Sequence, residues 1–117
     1  MRTGLILAFW CLLALPGAAR AHALLESATP AVGSTLVAAP KEVLLRFSGA
    51  IEAGFSRIEL HDAAGSLVAT APAEGAGLGA LRVALPELGP GQYEVIWHVT
   101  SIDGHMTQGR FRFWVGK

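Results

Sequence analysis

Leu88-Gly89-Pro90-Gly91-Gln92-Tyr93-Glu94-Val95-Ile96-Trp97-His98-Val99 is the stretch on which the fold turns. A Pro-Gly dipeptide breaks the chain, and behind it Tyr93, Val95, Trp97 and Val99 alternate with Glu94, Ile96 and His98. Successive side chains of a strand point to opposite faces, so a period of two predicts a strand with Tyr93, Val95, Trp97 and Val99 turned towards a core.

The same pattern recurs on both sides. Phe111, Phe113 and Val115 alternate with Arg110, Arg112 and Trp114; Val43, Leu45 and Phe47 with Leu44 and Arg46; Ile58 and Leu60 with Arg57, Glu59 and His61. Asp62-Ala63-Ala64-Gly65 is a turn leading into Leu67-Val68-Ala69, and Leu81, Val83 and Leu85 make a further run of period two. Residues 27–30 and 32–34 predict an extended, turn-rich lead-in, and residues 73–79 a loop of small residues rich in glycine. No apolar pattern of period 3.6 is sustained, so the expectation is all-β. Tyr93, at the start of its strand and just after a turn, resembles the tyrosine corner of Greek-key sandwiches, where the phenol bonds back to the backbone. The architecture expected is therefore an immunoglobulin-like Greek-key β-sandwich of about seven strands, of cupredoxin-like size.

The first residues read differently. Arg2 supplies a positive start, residues 5–15 (LILAFWCLLAL) an apolar run, Pro16-Gly17 a break, and Ala19-Arg20-Ala21 a small-x-small cleavage pattern. This order is that of a secretory signal peptide. The run is too short for a membrane span, which needs roughly 20 apolar residues. Residues 1–21 are thus expected to be a cleaved leader and residues 22–117 a single exported domain. Cleavage removes Cys11, the one cysteine, and with it disulfide and thiolate chemistry. It also removes Arg2 and Arg20, leaving seven basic against nine acidic side chains. No basic patch is available for nucleic acid.

Four histidines remain to be placed. His22 becomes the first residue after cleavage behind Ala21. A free terminal amine titrates near pH 7.7–8.0, roughly, so a metal can displace its proton around neutrality. That amine and the Nδ1 of the same side chain can close one chelate ring, a histidine brace. Asp103-Gly104-His105 is the second element, in the connection between the last two strands. Side chains two apart in an extended segment point the same way, so a carboxylate and an imidazole converge, and Gly104 lets the backbone turn without steric cost. One amine, two imidazoles and a carboxylate form a nitrogen-rich set suited to Cu(II), although zinc or nickel fits the same donors. His98 lies on the polar face of its strand and is read as a neighbour that packs or hydrogen-bonds without ligating. His61 is read as a solvated strand end.

The sequence resembles the CopC family of periplasmic copper-resistance proteins along nearly all of residues 22–117. The resemblance is carried by His22-Ala23-x-Leu25 with Ser27-Ala28-Thr29-Pro30, by Leu45-x-Phe47-Ser48 and Phe55-Ser56, and by Leu88-x-Pro90-Gly91-x-Tyr93-x-Val95-x-Trp97. Val99-x-Ser101-x-Asp103-Gly104-His105 and Gly109-x-Phe111-x-Phe113 complete it. It implies a periplasmic Cu(II) carrier or buffer in copper resistance, homeostasis or uptake, with the metal held by His22, Asp103 and His105. It also implies a CopD-like inner-membrane protein as partner.

Two departures from the family pattern stand out. Relatives that also hold Cu(I) carry a methionine-rich loop, since thioethers suit the softer ion; here only Met106 follows the leader. Gly49 stands where many relatives have a glutamate after Phe-Ser. Two readings from other classes share some of these features. A metal-free immunoglobulin-like interaction module predicts no effect of copper on folding or spectra. A histidine-brace copper monooxygenase is disfavoured by the small size and by an aspartate in a copper position, which would hinder oxygen activation.

Overall fold

The architecture, seen in a computed structural model that describes residues 23–72 and 74–117, is built around one long hairpin. Its two arms, β8 (Gly91–Thr100) and β9 (Met106–Val115), pair antiparallel from Gly91↔Val115 to Thr100↔Met106. On the far side of β8 lie β4 (Arg57–Asp62) and β5 (Leu67–Pro72), while the short β2 (Thr35–Leu36) runs parallel to β9, giving the order β2-β9-β8-β4-β5. The second sheet contains β1 (Leu25–Thr29), β3 (Glu42–Phe47), β7 (Ala80–Ala84) and β6 (Glu74–Gly75) in the order β1-β3-β7-β6. A 3-10 turn, Ala53–Phe55, precedes β4. The expected leader, with Arg2, Cys11 and Arg20, lies outside the described residues, as does His22. Among the described residues no helix is long and apolar enough to cross a membrane.

The two sheets close on the residues that alternation assigns inward. Val43, Leu45, Ile58, Leu60, Leu81, Val95, Val99 and Phe113 are fully buried. Each such side chain contributes about 1.5–3 kcal/mol relative to exposure. Phe47 bridges the sheets by meeting Trp97 edge-on at 5.2 Å between centroids, and within the five-stranded sheet Tyr93 stacks on its cross-strand partner Phe113 at 5.6 Å. The Tyr93 hydroxyl donates to the Gly89 carbonyl at 2.7 Å, the corner bond expected from the sequence.

Trp97 finds room only because its cross-strand neighbour is Gly109. A Cβ on Gly109 would stand 2.5 Å from the indole Cζ2, well inside van der Waals contact.

Seven strands have five residues or more, and β2 and β6 add a residue pair each, making nine among the described residues. Two segments differ from the sequence expectation. The lead-in is a strand, β1, because an irregularity between Leu25 and Ser27 shifts its pairing with β3 and scrambles the alternation. Within the Gly-rich loop, Glu74 and Gly75 pair with Arg82 and Leu81. That contact is made by backbone, with Arg82 and Glu74 3.6 Å apart beside it, and neither gives a hydrophobic signature.

Candidate metal centre

At the end of the hairpin opposite the tyrosine corner, residues 101–105 join β8 to β9. Gly104 takes φ +92°, a left-handed value that favours glycine, and its N–H donates to the Ser101 carbonyl at 2.9 Å. The Ser101 N–H closes the loop on the His105 carbonyl at 2.8 Å. The connection is therefore a tight, internally bonded turn, from which Asp103 and His105 project.

One oxygen organises that turn. Asp103 Oδ1 accepts from the Ser101 hydroxyl in a short hydrogen bond and from the His105 N–H at 3.1 Å, and it lies 3.1 Å from His105 Nδ1. The Ser101 hydroxyl, then the His105 backbone and ring, hold the Asp103 carboxyl down at about 2, so it is ionised throughout the physiological range. Ser101 is itself buried, whereas Asp103 and His105 face solvent at 38% and 55% side-chain exposure. The arrangement is a buried hydroxyl steering an accessible carboxylate onto an accessible imidazole.

The start of the described chain is tied to the same place. Ala23 is buried, and its carbonyl accepts from Thr107 Oγ1 at 3.1 Å, two residues beyond His105. Leu24 is held from the other side: its N–H donates to Ser48 Oγ at 2.9 Å and its carbonyl accepts from the Ser48 N–H at 2.8 Å. Residue 22 is one Cα–Cα step, about 3.8 Å, from Ala23. Asp103 and His105 are thus brought together as the sequence predicts, and His22, outside the described residues, is the chain neighbour of a residue anchored beside them. No group of three or more histidine, cysteine, aspartate or glutamate side chains converges among the described residues. The described part of the candidate centre is the Asp103–His105 pair.

The remaining histidines lie elsewhere. His98 is half-buried on the outer face of its sheet, paired across to Arg57 and Gln108. His61 is more engaged than a solvated strand end: Nε2 lies 3.0 Å from Glu59 Oε1 and Nδ1 3.3 Å from the Gly65 carbonyl. Glu59 pulls the His61 pKa up, and His61, with Arg57, pulls that of Glu59 down. Three supporting residues escape a search for ligands, namely Ser101, Ser48 and Thr107. Ser101 and Ser48 stand in the stretches that carry the family resemblance, but with no role attached to them. The parts played by Ser48 and Thr107 depend on contacts 24 and 84 residues away along the chain.

Comparison with known proteins gives the family and the fold. The sequence model of the CopC domain matches residues 25–116. The chain belongs to the CopC domain family. Protein YobA of Escherichia coli is 37% identical to this CopC-domain protein over 96 residues, spanning 80% of the chain and 77% of YobA. Copper transport protein CutJ of Bacillus subtilis is 31% identical over 106 residues, which are 88% of this chain but only 20% of CutJ. Among solved structures, CopC from Methylosinus trichosporium OB3b superposes with a TM-score of 0.78 at 37% identity, covering 81% of this chain and 94% of that one. PcoC, a methionine-rich copper resistance protein from Escherichia coli, gives 0.71 at 31% identity, covering 81% and 99%.

Proposed function

We propose that this CopC-domain protein is a periplasmic Cu(II) carrier or buffer, released from its leader by cleavage after Ala21 and loaded through the histidine that cleavage exposes. The ligands are the amine and imidazole of His22, the Asp103 carboxylate and the His105 imidazole. The observation that supports this reading best is the bond from Thr107 to the Ala23 carbonyl, which anchors the chain start beside the Asp103–His105 turn. With three donors gathered on Asp103 Oδ1, Oδ2 is the oxygen assigned to the metal. Nitrogen and carboxylate donors without thioethers favour Cu(II), the strongest binder of the divalent series. The protein performs no reaction on the ion in this account; it holds copper and passes it on. Its partner is a CopD-like copper-transport membrane protein, a reading supported by CutJ, which carries a similar segment as one fifth of a longer chain.

The test is to compare the mature protein with a form bearing one additional residue before His22. Extension turns the ligating amine into a peptide nitrogen, so Cu(II) affinity, measured by competition with a chelator, is expected to fall at least tenfold. The electron paramagnetic resonance spectrum should change with it. Equal affinity in the two forms would remove the brace from the account. Ascorbate with a Cu(I) chelator should strip the loaded protein, and a retained stoichiometric Cu(I) ion would show that soft ligands take part.

A further inference from the structure

The five-stranded sheet narrows beyond the pairing of Arg57 with His98. β4 begins at Arg57, whereas β8 and β9 extend further, to Thr100 and Met106, with no strand beside them on the β4 side. The chain ahead of β4 departs through the 3-10 turn, which is fastened by the Thr100 hydroxyl donating to the Phe55 carbonyl at 3.1 Å. A cavity of about 400 Å³ is left on the outer face, walled by Phe55, Arg57, His98, Thr100, Met106 and Gln108. Small-molecule sites span roughly 300–1,000 Å³, so there is room for a compact ligand.

The polar groups of this cavity have hydrogen-bonding capacity that the protein does not use. Arg57 gives Nε to Glu59 Oε2 at 2.9 Å, and the two terminal nitrogens of its guanidinium have no partner among the described residues. Neither the His98 ring nor the Gln108 carboxamide makes a side-chain hydrogen bond there. Register places the three in one row, since His98 is paired with Arg57 on one side and with Gln108 on the other. Neighbouring strands lie about 4.8 Å apart, so an anion seated over His98 is within reach of donors from three strands. The next row is apolar at its rim, where Phe55 and Met106 are 78% and 77% exposed.

We propose that this cavity binds a small organic carboxylate, its charged end over the Arg57–His98–Gln108 row and its apolar body between Phe55 and Met106. The site does not depend on the ligand set proposed for copper, because it lies on the outer face of the hairpin, away from Ala23. A guanidinium fork takes a carboxylate through two parallel hydrogen bonds, and Arg57 is charged at any physiological pH. The neighbouring acidic groups leave that fork open. Glu59 is occupied by Arg57 Nε and by His61, and Asp103 by Ser101 and His105. Glu52, three residues before Phe55, is exposed and stands outside the lining. Arg110 and Arg112 turn to Glu94 further along the sheet. An inorganic anion would leave Phe55 and Met106 uncovered, so the rim selects an organic one.

The experiment titrates the mature protein in the absence of metal, since a carboxylate also binds Cu(II). Nuclear magnetic resonance follows the His98 ring and the methyl of Met106, the one methionine of residues 22–117. Benzoate is expected to shift both signals and to saturate with a dissociation constant of about 1 mM or below. Acetate, which lacks the apolar body, and benzamide, which lacks the charge, should bind at least fivefold more weakly. Arg57→Gln and His98→Gln should each weaken benzoate at least fivefold while the circular dichroism spectrum stays unchanged. Arg110→Gln removes the same charge from the same face outside the lining, and should alter benzoate binding less than twofold. Glu52→Gln, which removes an opposing charge, should leave it equal or tighter. The proposal is overturned if benzoate does not saturate, or if benzamide or inorganic phosphate binds as well as benzoate. It is overturned too if Arg110→Gln or Glu52→Gln weakens binding as much as Arg57→Gln, since the anion would then sit elsewhere on the face. Should Arg57→Gln fail to fold, the comparison of benzoate with benzamide on the unaltered protein still decides.

Discussion

Asp103 carries three hydrogen-bonding contacts on one oxygen, and the donor that matters most for its charge is Ser101, a residue that touches no metal in the proposed ligand set. Partners of this sort fix the direction of a ligand and commonly govern affinity by about 10–100-fold. Ser101→Ala deletes one hydroxyl from a buried position without enlarging the side chain. It is expected to weaken Cu(II) binding about tenfold, while His98→Ala, on the outer face of the sheet, should leave both affinity and spectrum unchanged. Chelator competition on the two variants decides the matter. If His98→Ala loses copper and Ser101→Ala keeps it, the centre has been placed on the wrong face of β8. Asp103 and His105 were legible in the sequence because a two-residue spacing is local. Ser48 and Thr107 were not, because what they hold lies far along the chain and only the closed sandwich brings it to them.

At the scale of elements, the hairpin of β8 and β9 shows what alternation reveals and what it hides. Its inward face could be read directly, since Tyr93, Val95, Trp97, Val99, Phe111 and Phe113 follow a strict period of two and all are buried. The irregular β1 could not, because its shifted pairing puts exposed and half-buried residues out of step. Gly109 belongs to a third kind: visible in the sequence, with a purpose visible only in the register. Facing Trp97, it leaves the space that the indole fills. Gly109→Ala places a methyl group into that ring and should destabilise the protein by about 1–3 kcal/mol, as overpacking does. Urea unfolding followed by tryptophan fluorescence measures it. A loss below a few tenths of a kcal/mol would mean that the hairpin shifts aside at little cost. The Phe47–Trp97 contact would then not be fixed by Gly109.

Across the whole molecule, the two sheets contribute different halves of the proposed centre. Residue 22 leads into β1 of the four-stranded sheet, whereas Asp103 and His105 sit on the hairpin of the five-stranded one. At this corner the described residues tie the halves through the Thr107 bond to the Ala23 carbonyl and through the segment after β3, whose Ala50 carbonyl accepts from Ile102. An ion bound by both halves joins the sheets where the chain begins. It should also stabilise the fold by mass action, by about 4 kcal/mol when free copper exceeds the dissociation constant a thousandfold. The corresponding rise in the thermal midpoint should vanish in the form extended before His22.

That corner gives the cargo a mechanical meaning. β1 is an edge strand, paired on one side only and tied at its start by Thr107 and Ser48, and amides near such an end exchange with solvent even while the rest of the sandwich stays shut. With the proposed ligand set, copper would act there as a latch. With the latch closed, hydrogen–deuterium exchange at Leu25 to Thr29 should slow markedly, while β4 and β5, remote from the corner, keep their rates. On the proposed function, such a protein would display its own occupancy in the looseness of one strand, so that an empty carrier and a full one would present different surfaces to whatever they meet next.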